Sequence, residues 1–231
     1  MYTKKPIGIM LLDDHPFMLH GLKACLGDES DIQILGSFNS SQSLITALHG
    51  QAADLVLLDY SLGPDEVDGL NLIRALKIRF PKVRLLVISA LHNRATVAMV
   101  MRCGADGFIG KELDPTQLPV AVRRVASGKT YLSQGMTEQL REDEMSVNAP
   151  QLSEVNIDTS STATLVKNAD LTAREYEVLR CFVEGLSVTQ IAEKFSRSIK
   201  TISTQKQSAF KKLGLRSDNE LYKVRDQLEG R

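Results

Sequence analysis

The sequence has few cysteines and no long hydrophobic run, and each absence excludes a class of protein. The three cysteines, Cys25, Cys103 and Cys181, are far apart and lie outside any C-x-x-C or Cys/His spacing that would hold zinc. The apolar run near the start spans only six residues before Asp13 and Asp14 end it, which is too short for a signal sequence or a membrane span. We therefore expect a reduced protein in the cytoplasm, with no membrane partner.

The chain also has no excess of charge of either sign. Lys and Arg together number 28, as do Asp and Glu, so a protein coated in basic charge is excluded and any nucleic-acid surface must be local. What the 231 residues do contain is 43% apolar residues, enough to bury one sizeable core or two small ones.

Short apolar runs alternate with amphipathic stretches over the first half of the chain, a pattern that predicts a parallel sheet covered by helices. The runs are residues 7–12, 32–38, 54–58, 83–89 and 107–109, and the stretches with helical spacing are 17–26, 41–48, 70–80, 95–103 and 117–126. The third and fourth runs are apolar almost throughout, so we expect those strands at the centre of the sheet. The prediction is a doubly wound α/β domain with five parallel strands over residues 1–130.

The character of the sequence then changes twice. The segment that follows is polar and acidic without sustained periodicity, so it cannot bury enough apolar surface to offset the entropy of ordering it. We predict a flexible linker over residues 131–168, with a short helix at 137–144. Helical periodicity returns after it without any strand signal, which predicts a second, all-α domain of four helices over 169–231.

Polar side chains follow four of the predicted strands at their carboxyl ends, where ligands collect in an open parallel sheet. They are Asp13, Asp14, Asp59, Ser89 and Lys111. Any one of them alone is more simply a solvated loop residue or a helix cap. Together, the carboxylates would repel one another unless a hard cation such as Mg²⁺ bound them, and one aspartate could then act as a nucleophile.

With these residues in that order, residues 5–127 resemble the receiver domains of two-component response regulators, which have a flavodoxin-like fold. The resemblance implies that Asp59 accepts a phosphoryl group. It also implies that Asp14, Asp59 and the backbone carbonyl of Ser61 bind Mg²⁺ directly, while Asp13 holds the ion through water.

The same resemblance implies a switch. Ser89 would donate its hydroxyl to a phosphoryl oxygen, and Lys111 would pair with the acyl phosphate. Phosphorylation adds charge and strong acceptor oxygens, so both side chains would be drawn inward. Phe108 stands where the family has its switch aromatic and would fill the space that Ser89 leaves, although an ordinary apolar role in the fifth strand explains it equally well.

The second domain contains three helix starts with capping residues. Thr172 and Glu175 match a T-x-x-E capping box for a first helix, which Gly185 would end. Ser187 would cap a short helix over 188–194, and Ser198 a third helix over 199–213. The apolar side chains that we expect to face inward from the third helix are Ile199, Ile202, Phe210 and Leu213. This order of features resembles the DNA-binding domains of the LuxR type.

The resemblance places the start of the third helix in the DNA major groove. Lys200, Thr201 and Thr204 would then read base edges, and Gln205 could pair with adenine. The remaining cations more simply hold phosphates, and these are Arg197, Lys206, Lys211, Lys212 and Arg216. A charge run of this kind is by itself only a solvated helix face, which is the competing interpretation.

The partners follow from the resemblance as well. The last predicted helix, 219–228, forms the dimer contact in LuxR-type domains, although packing against the domain's own core explains its pattern equally well. A homodimer predicts paired half-sites in DNA. The run RSIKTISTQKQSA and the long loop after Asp59 are most similar to the regulators of capsule synthesis in the Rcs phosphorelay. That similarity implies a histidine kinase or histidine phosphotransfer protein as donor, and heterodimers with auxiliary LuxR-type proteins.

Three functions are compatible with these features, and we favour a transcription factor controlled by phosphorylation of Asp59. In the second, the receiver is mainly a protein-interaction module and phosphorylation is unimportant. The third, a phosphate-ester hydrolase, is disfavoured. Ser61 stands where haloacid-dehalogenase-type phosphatases need a second aspartate, and Pro16 follows His15 where Asp-His-His phosphoesterases have a second histidine. We therefore predict that the chain is not an enzyme.

Overall fold

The computed structural model describes residues 5–90, 94–112, 114–133, 171–215, 217–218 and 220–221. The chain divides into two compact units: the first, residues 1–90 and 98–133, carries the sheet, and the second, residues 91–97 and 134–231, carries the C-terminal helices. Most of the predicted linker, its short helix at 137–144, Arg216 and most of the last predicted helix lie outside the described residues. No helix in the described ranges has both the length and the apolar character needed to span a membrane.

Strands and helices alternate in the first unit. The strands are β1 (Ile7–Leu12), β2 (Ile32–Phe38), β3 (Leu55–Asp59), β4 (Arg84–Ser89), β5 (Gly107–Gly110) and β6 (Tyr131–Leu132). The helices are α1 (Pro16–Gly27), α2 (Ser41–Gly50), α3 (Gly69–Arg79), α4 (Arg94–Arg102) and α5 (Gln117–Ala126). The five predicted strands and five predicted helices are confirmed, with ends that differ by a few residues at most.

All strand pairs are parallel and the order across the sheet is β2-β1-β3-β4-β5-β6. The chain order reverses between β1 and β3, and in such sheets a crevice for ligands opens at that reversal. Every residue of β3 is buried, and so is nearly all of β4, as expected for strands covered on both faces. The fold class is therefore confirmed.

The sixth strand was not predicted. Tyr131 and Leu132 pair with Gly107 and Phe108 of β5, yet we had assigned them to the start of the linker. That boundary was wrong because a strand of two residues has no measurable period. It forms only because α5 returns the chain to the free edge of β5.

The second unit contains α6 (Ala173–Val183), α7 (Val188–Lys194) and α8 (Ile199–Leu213). The capping box of Thr172 and Glu175 is present, and Ser187 and Ser198 cap α7 and α8, as predicted. Gly214 ends α8 in the left-handed conformation, with φ 69°. Val178, Ile191 and Ile202 bring the three helices into one small core. Of the fourth predicted helix, Leu221 is helical and fully buried.

Candidate functional site

The sheet register brings the predicted polar residues to one edge. Leu12 of β1 pairs with Leu58 of β3, so Asp13 and Asp59 follow at the same level. Ser89 at the end of β4 pairs with Gly110 of β5. Because Lys111 comes directly after Gly110, its side chain reaches the same edge as the two aspartates.

The centre of this group is an ion pair. Lys111 Nζ donates to Asp59 Oδ2 at 2.8 Å and to Asp13 Oδ2 at 3.3 Å. Asp59 is 2% exposed and Asp13 is 0% exposed, so both carboxylates lie almost entirely out of water. Burial disfavours the charged form of Lys111, yet its hydrogen bond to Asp59 raises its pKa.

Burial has the larger effect on the nucleophile candidate. It raises the pKa of the Asp59 carboxyl to about 6, although the hydrogen bond from Lys111 acts in the opposite direction. The charge of Asp13 raises the pKa further, and a backbone hydrogen bond with Ser61 lowers it. The pocket therefore holds more negative charge than Lys111 alone balances.

His15 also belongs to this group, which the sequence analysis considered only as part of an enzyme motif. Its Nδ1 lies 3.2 Å from Asp13 Oδ1 and 2.8 Å from Asp14 Oδ1. The contact with Asp14 lacks hydrogen-bond geometry, so Asp14 Oδ1 is a buried oxygen with no hydrogen-bond partner in the described part of the chain. Buried carboxylate oxygens without a partner are uncommon unless an ion binds there.

The arrangement fits a hard divalent cation. Ligand atoms of Asp13, Asp14, His15 and Asp59 all lie within 4.8 Å of one another. Three of the four residues offer carboxylate oxygens, which Mg²⁺ prefers. Together with the partnerless oxygen of Asp14, this donor set is suited to hold the predicted Mg²⁺.

The long loop between β3 and α3 is held in place by its own carboxylates, which sequence analysis missed. Asp68, fully buried, accepts a hydrogen bond from the backbone N–H of Leu62 at 3.0 Å. Glu66 Oε2 accepts from the backbone N–H of Ser41 at 2.8 Å and from its hydroxyl at 2.6 Å, at the start of α2. The loop that carries Ser61 is therefore anchored at two points.

The two predicted switch residues occupy the neighbouring strands. Ser89 is 2% exposed, and its carbonyl accepts a hydrogen bond from the backbone N–H of Lys111 at 2.9 Å. Phe108 is fully buried in β5 between Val87 of β4 and Leu132 of β6. In this conformation the Phe108 ring is part of the core, in agreement with the simpler role considered for it.

In the second unit, the predicted base-reading residues are at or near the surface of α8. Lys200 and Thr204 are exposed, whereas Thr201 and Gln205 are half-buried. The inner face of α8 is formed by Ile202, Ala209 and Leu213, all buried. One expectation was wrong: Ile199 is 54% exposed, because it precedes the first inward position of the helix. Phe210, also expected to face inward, is half-buried.

Two of the predicted phosphate contacts have partners inside the unit instead. Lys206 Nζ lies 2.6 Å from Asp218 Oδ1 and 3.6 Å from the centre of the Phe182 ring. Lys212 Nζ donates to Glu175 Oε2 at 2.8 Å. In the free protein each ammonium group stabilises the helix packing, and a contact with a DNA phosphate stays a prediction for both lysines. Arg197 and Lys211 are exposed.

Glu175 connects the start of α6 to the far end of α8. It accepts hydrogen bonds from the backbone N–H of Thr172 at 2.7 Å, from the Ser208 hydroxyl at 2.7 Å and from Lys212 at 2.8 Å. Burial would raise the pKa of Glu175, but these hydrogen bonds lower it to about 2. The predicted capping box is thus also a tertiary clamp on α8.

Both halves of the chain match known families. Residues 9–123 match the response regulator receiver domain, and residues 169–224 match the bacterial regulatory proteins of the luxR family. The transcriptional regulatory protein RcsB of Salmonella typhi is 32% identical over 213 residues, which cover 92% of this chain and 90% of that protein.

Solved structures of the same relative agree. One is RcsB from Salmonella enterica serovar Typhimurium bound to the promoter P1flhDC in the presence of phosphomimetic BeF3-, with TM-score 0.76, 30% identity and coverage of 98% and 100% of the two chains. Another contains two RcsB dimers bound to two parallel DNAs, with TM-score 0.71, 30% identity and coverage of 97% and 100%. The chain therefore belongs to the two-component response regulators that join a receiver domain to a LuxR-type DNA-binding domain.

Proposed function

We propose that phosphorylation of Asp59 controls the binding of α8 to specific DNA sequences, and so regulates transcription. The observation that carries the proposal is the pocket at the sheet edge. There Asp59, nearly inaccessible to water, accepts a hydrogen bond from Lys111 and lies near Asp14, whose buried Oδ1 has no hydrogen-bond partner among the described residues. The relatives reported above are named as transcriptional regulators, which supports a regulatory rather than an enzymatic role.

Asp59 is the nucleophile in this proposal. A carboxylate oxygen of Asp59 attacks the phosphorus of a phosphohistidine on the donor protein, so a P–O bond forms while the P–N bond breaks and the imidazole leaves. Asp13, Asp14, Asp59 and the Ser61 carbonyl would hold Mg²⁺, which when bound offsets the negative charge shared by the carboxylates and the phosphoryl oxygens. Lys111 moves from Asp59 to the new phosphoryl oxygens.

The switch then follows from the new charge. The phosphoryl group adds strong acceptors beside Ser89, whose hydroxyl turns toward them. Phe108 moves into the space that Ser89 leaves. Because Phe108 pairs with β6 at the edge of the sheet, its movement would change the surface beyond the pocket.

The DNA-binding part of the proposal rests on α8. Lys200, Thr201 and Thr204 read bases in the major groove, and Gln205 contributes if the helix enters deeply. Arg197 and Lys211 hold phosphates. Lys206 and Lys212 have carboxylate partners inside the unit, and their phosphate contacts remain predictions. The homodimer through residues 219–228, its paired half-sites, the phosphate contact of Arg216 and heterodimers with auxiliary LuxR-type proteins remain predictions, and the DNA-bound RcsB dimers support the first two.

The test compares the wild type with Asp59→Ala and with Asp65→Ala, which removes an exposed carboxylate from the same loop. Each protein is treated with acetyl phosphate and Mg²⁺, and its mass and its affinity for a duplex selected from random DNA are measured. We expect wild type and Asp65→Ala to gain one phosphoryl group and to bind about tenfold more tightly, a usual coupling between sites. Asp59→Ala should do neither.

Uptake at another residue in Asp59→Ala would contradict the assignment of the nucleophile. Modification of Asp59 without any change in DNA affinity or dimerisation would contradict the switch, and would favour a receiver that serves as a protein-interaction module.

A further inference from the structure

Ile199 is a large apolar side chain that is exposed to water. It is the first residue of α8, at the end of the helix that is proposed to enter the groove, and 54% of its side chain is accessible. Lys200 beside it and Arg197 before it are exposed as well. Lys211 farther along α8 is exposed too, and the sequence has no acidic residue from 196 to 216, so this apolar side chain lies within a surface suited to a polyanion.

The neighbouring hydroxyl groups are already used within the helix. Thr201 Oγ1 lies 2.8 Å from Ser198 Oγ, which also accepts the backbone N–H of Thr201 as the helix cap. Thr204 Oγ1 donates to the carbonyl of Lys200 at 2.9 Å. With these bonds kept, Thr204 has no hydroxyl proton left to donate, and the apolar surface that both threonines offer to a partner is their methyl groups.

We propose that Ile199 is a specificity-determining residue that recognises thymine by contact with its C5-methyl group, with the Thr201 and Thr204 methyls extending the same apolar surface. The inference rests on the proposed entry of α8 into the major groove, where the thymine methyl is the one apolar group on a base edge. Lys200 would then contact a neighbouring guanine. The start of α8 would thus select a site of the type that combines thymine with guanine.

This role also explains why an isoleucine is not in the core. The inward positions of α8 are taken by Ile202, Ala209 and Leu213. A large apolar side chain exposed to water gains free energy only when a partner covers it. In the DNA complex a thymine methyl group would cover the Ile199 side chain, whereas in the free protein the side chain stays exposed.

The experiment uses the full chain and a duplex that it selects from random DNA. Each thymine of that duplex is replaced in turn by deoxyuracil, which removes only the methyl group, and binding is measured for wild type, Ile199→Ala and Ile199→Val. The matched control is Ile78→Ala, since Ile78 is 81% exposed on the first unit. Thermal unfolding of each variant verifies the fold.

We expect one deoxyuracil position in each half-site to weaken wild-type binding about fourfold, the effect of one buried methyl contact. Ile199→Ala should weaken binding to the thymine duplex by a similar factor and respond no further to deoxyuracil there. Ile199→Val should show a smaller loss, and Ile78→Ala none.

If Ile199→Ala and deoxyuracil weakened binding independently at every thymine, so that the two losses multiplied, Ile199 would not contact a thymine methyl. The DNA-binding function would still stand. Failure of the chain to enrich any sequence would overturn the proposed function, and this inference with it.

Discussion

The phosphoacceptor pocket and the α8 surface are built in opposite ways. The pocket gathers side chains from separate strands, buries them, and lets them bind one another, as Lys111 binds Asp59 and Asp13. The α8 surface, by which we mean the exposed side chains at the start of that helix, is formed by residues close together in sequence, and several of them are exposed to water. The ionisable groups of the pocket are buried and bind one another, whereas Ile199, Lys200 and Thr204 of α8 are exposed to water.

This difference predicts whether a substitution will change the stability of the protein or its binding to DNA. A change in the pocket alters the stability of the first unit, because its groups interact with one another in the folded chain. A change on the outer face of α8 should alter binding alone. Substitutions in both regions test this distinction.

The largest effect is expected for Lys111→Met. Without the ammonium group, two buried carboxylates face each other, and we expect the first unit to lose about 3 kcal/mol of stability at pH 7 in the absence of divalent ions. Lys111 lowers the pKa of Asp59, which is about 6 in the wild type, so without Lys111 that pKa should be higher still. The loss relative to wild type should therefore grow as pH rises above about 6, where the wild-type carboxylate is ionised and paired with Lys111.

Hydrogen exchange of the β3 and β4 amides measures this loss in the full chain. Lys129→Met, at an exposed position, is the control. Added Mg²⁺ should return part of the stability to Lys111→Met. Equal protection of wild type and Lys111→Met would mean that the pocket is not held by this ion pair.

Next in size is a pair of lysines on the same helix. Lys200→Ala should weaken binding to the selected duplex by about 1 to 3 kcal/mol and reduce the preference over random DNA. Lys206→Ala should keep that preference and instead lower the stability of the second unit by about 1 kcal/mol, since it removes the contacts with Asp218 and Phe182. Titrations with both DNAs and thermal unfolding separate the outcomes, and an equal loss on all sequences would make Lys200 a phosphate contact.

Glu175→Gln tests the clamp through pH. The wild-type carboxylate has a pKa of about 2 when folded against a usual value of 4.5, so it stabilises the second unit above pH 4.5 and this contribution is lost as pH falls toward 2. Gln should remove that dependence and lower stability by about 1 kcal/mol at pH 7. Acid unfolding followed by helical signal is the measurement, with the exposed Glu193→Gln as control; unchanged acid sensitivity would exclude the clamp.

The smallest effect concerns the turn before α8. Ser196 has φ 50°, a left-handed conformation that favours glycine and strains other residues. Ser196→Gly should raise the stability of the second unit by about 0.5 kcal/mol. The same substitution at Ser203, inside α8, should lower it by about 0.5 kcal/mol. Calorimetry compares the two, and a loss at Ser196 would show that its conformation is not strained.

Much of this molecule could be predicted because its signals are local or periodic. Alternation of apolar runs and amphipathic stretches located five strands and five helices, and polar residues at the carboxyl ends of four strands located the pocket. Short side-chain motifs located three helix starts, at Thr172, Ser187 and Ser198. In each case the information lies within a few residues, since a strand end or a helix cap is decided by its nearest neighbours in the chain.

The failures share one physical cause, which is contact between residues far apart in sequence. β6 forms because β5 offers an unpaired edge to Tyr131 and Leu132. The ion pairs of Lys206 and Lys212 were not predicted, because only the fold brings Asp218 and Glu175 within reach of them. Helical spacing predicts the angle of each side chain around α8, but not which carboxylate from elsewhere in the chain will contact it.

The sequence by itself thus determined the two kinds of architecture, the helix starts and the set of groups gathered at the sheet edge. Only the tertiary structure decided that His15 joins that set, that Glu66 anchors the long loop, and that Ile199 is exposed while Lys206 is engaged. The reason is that periodicity and capping are encoded between neighbours, whereas burial and ion pairing depend on which surfaces the folded chain brings together.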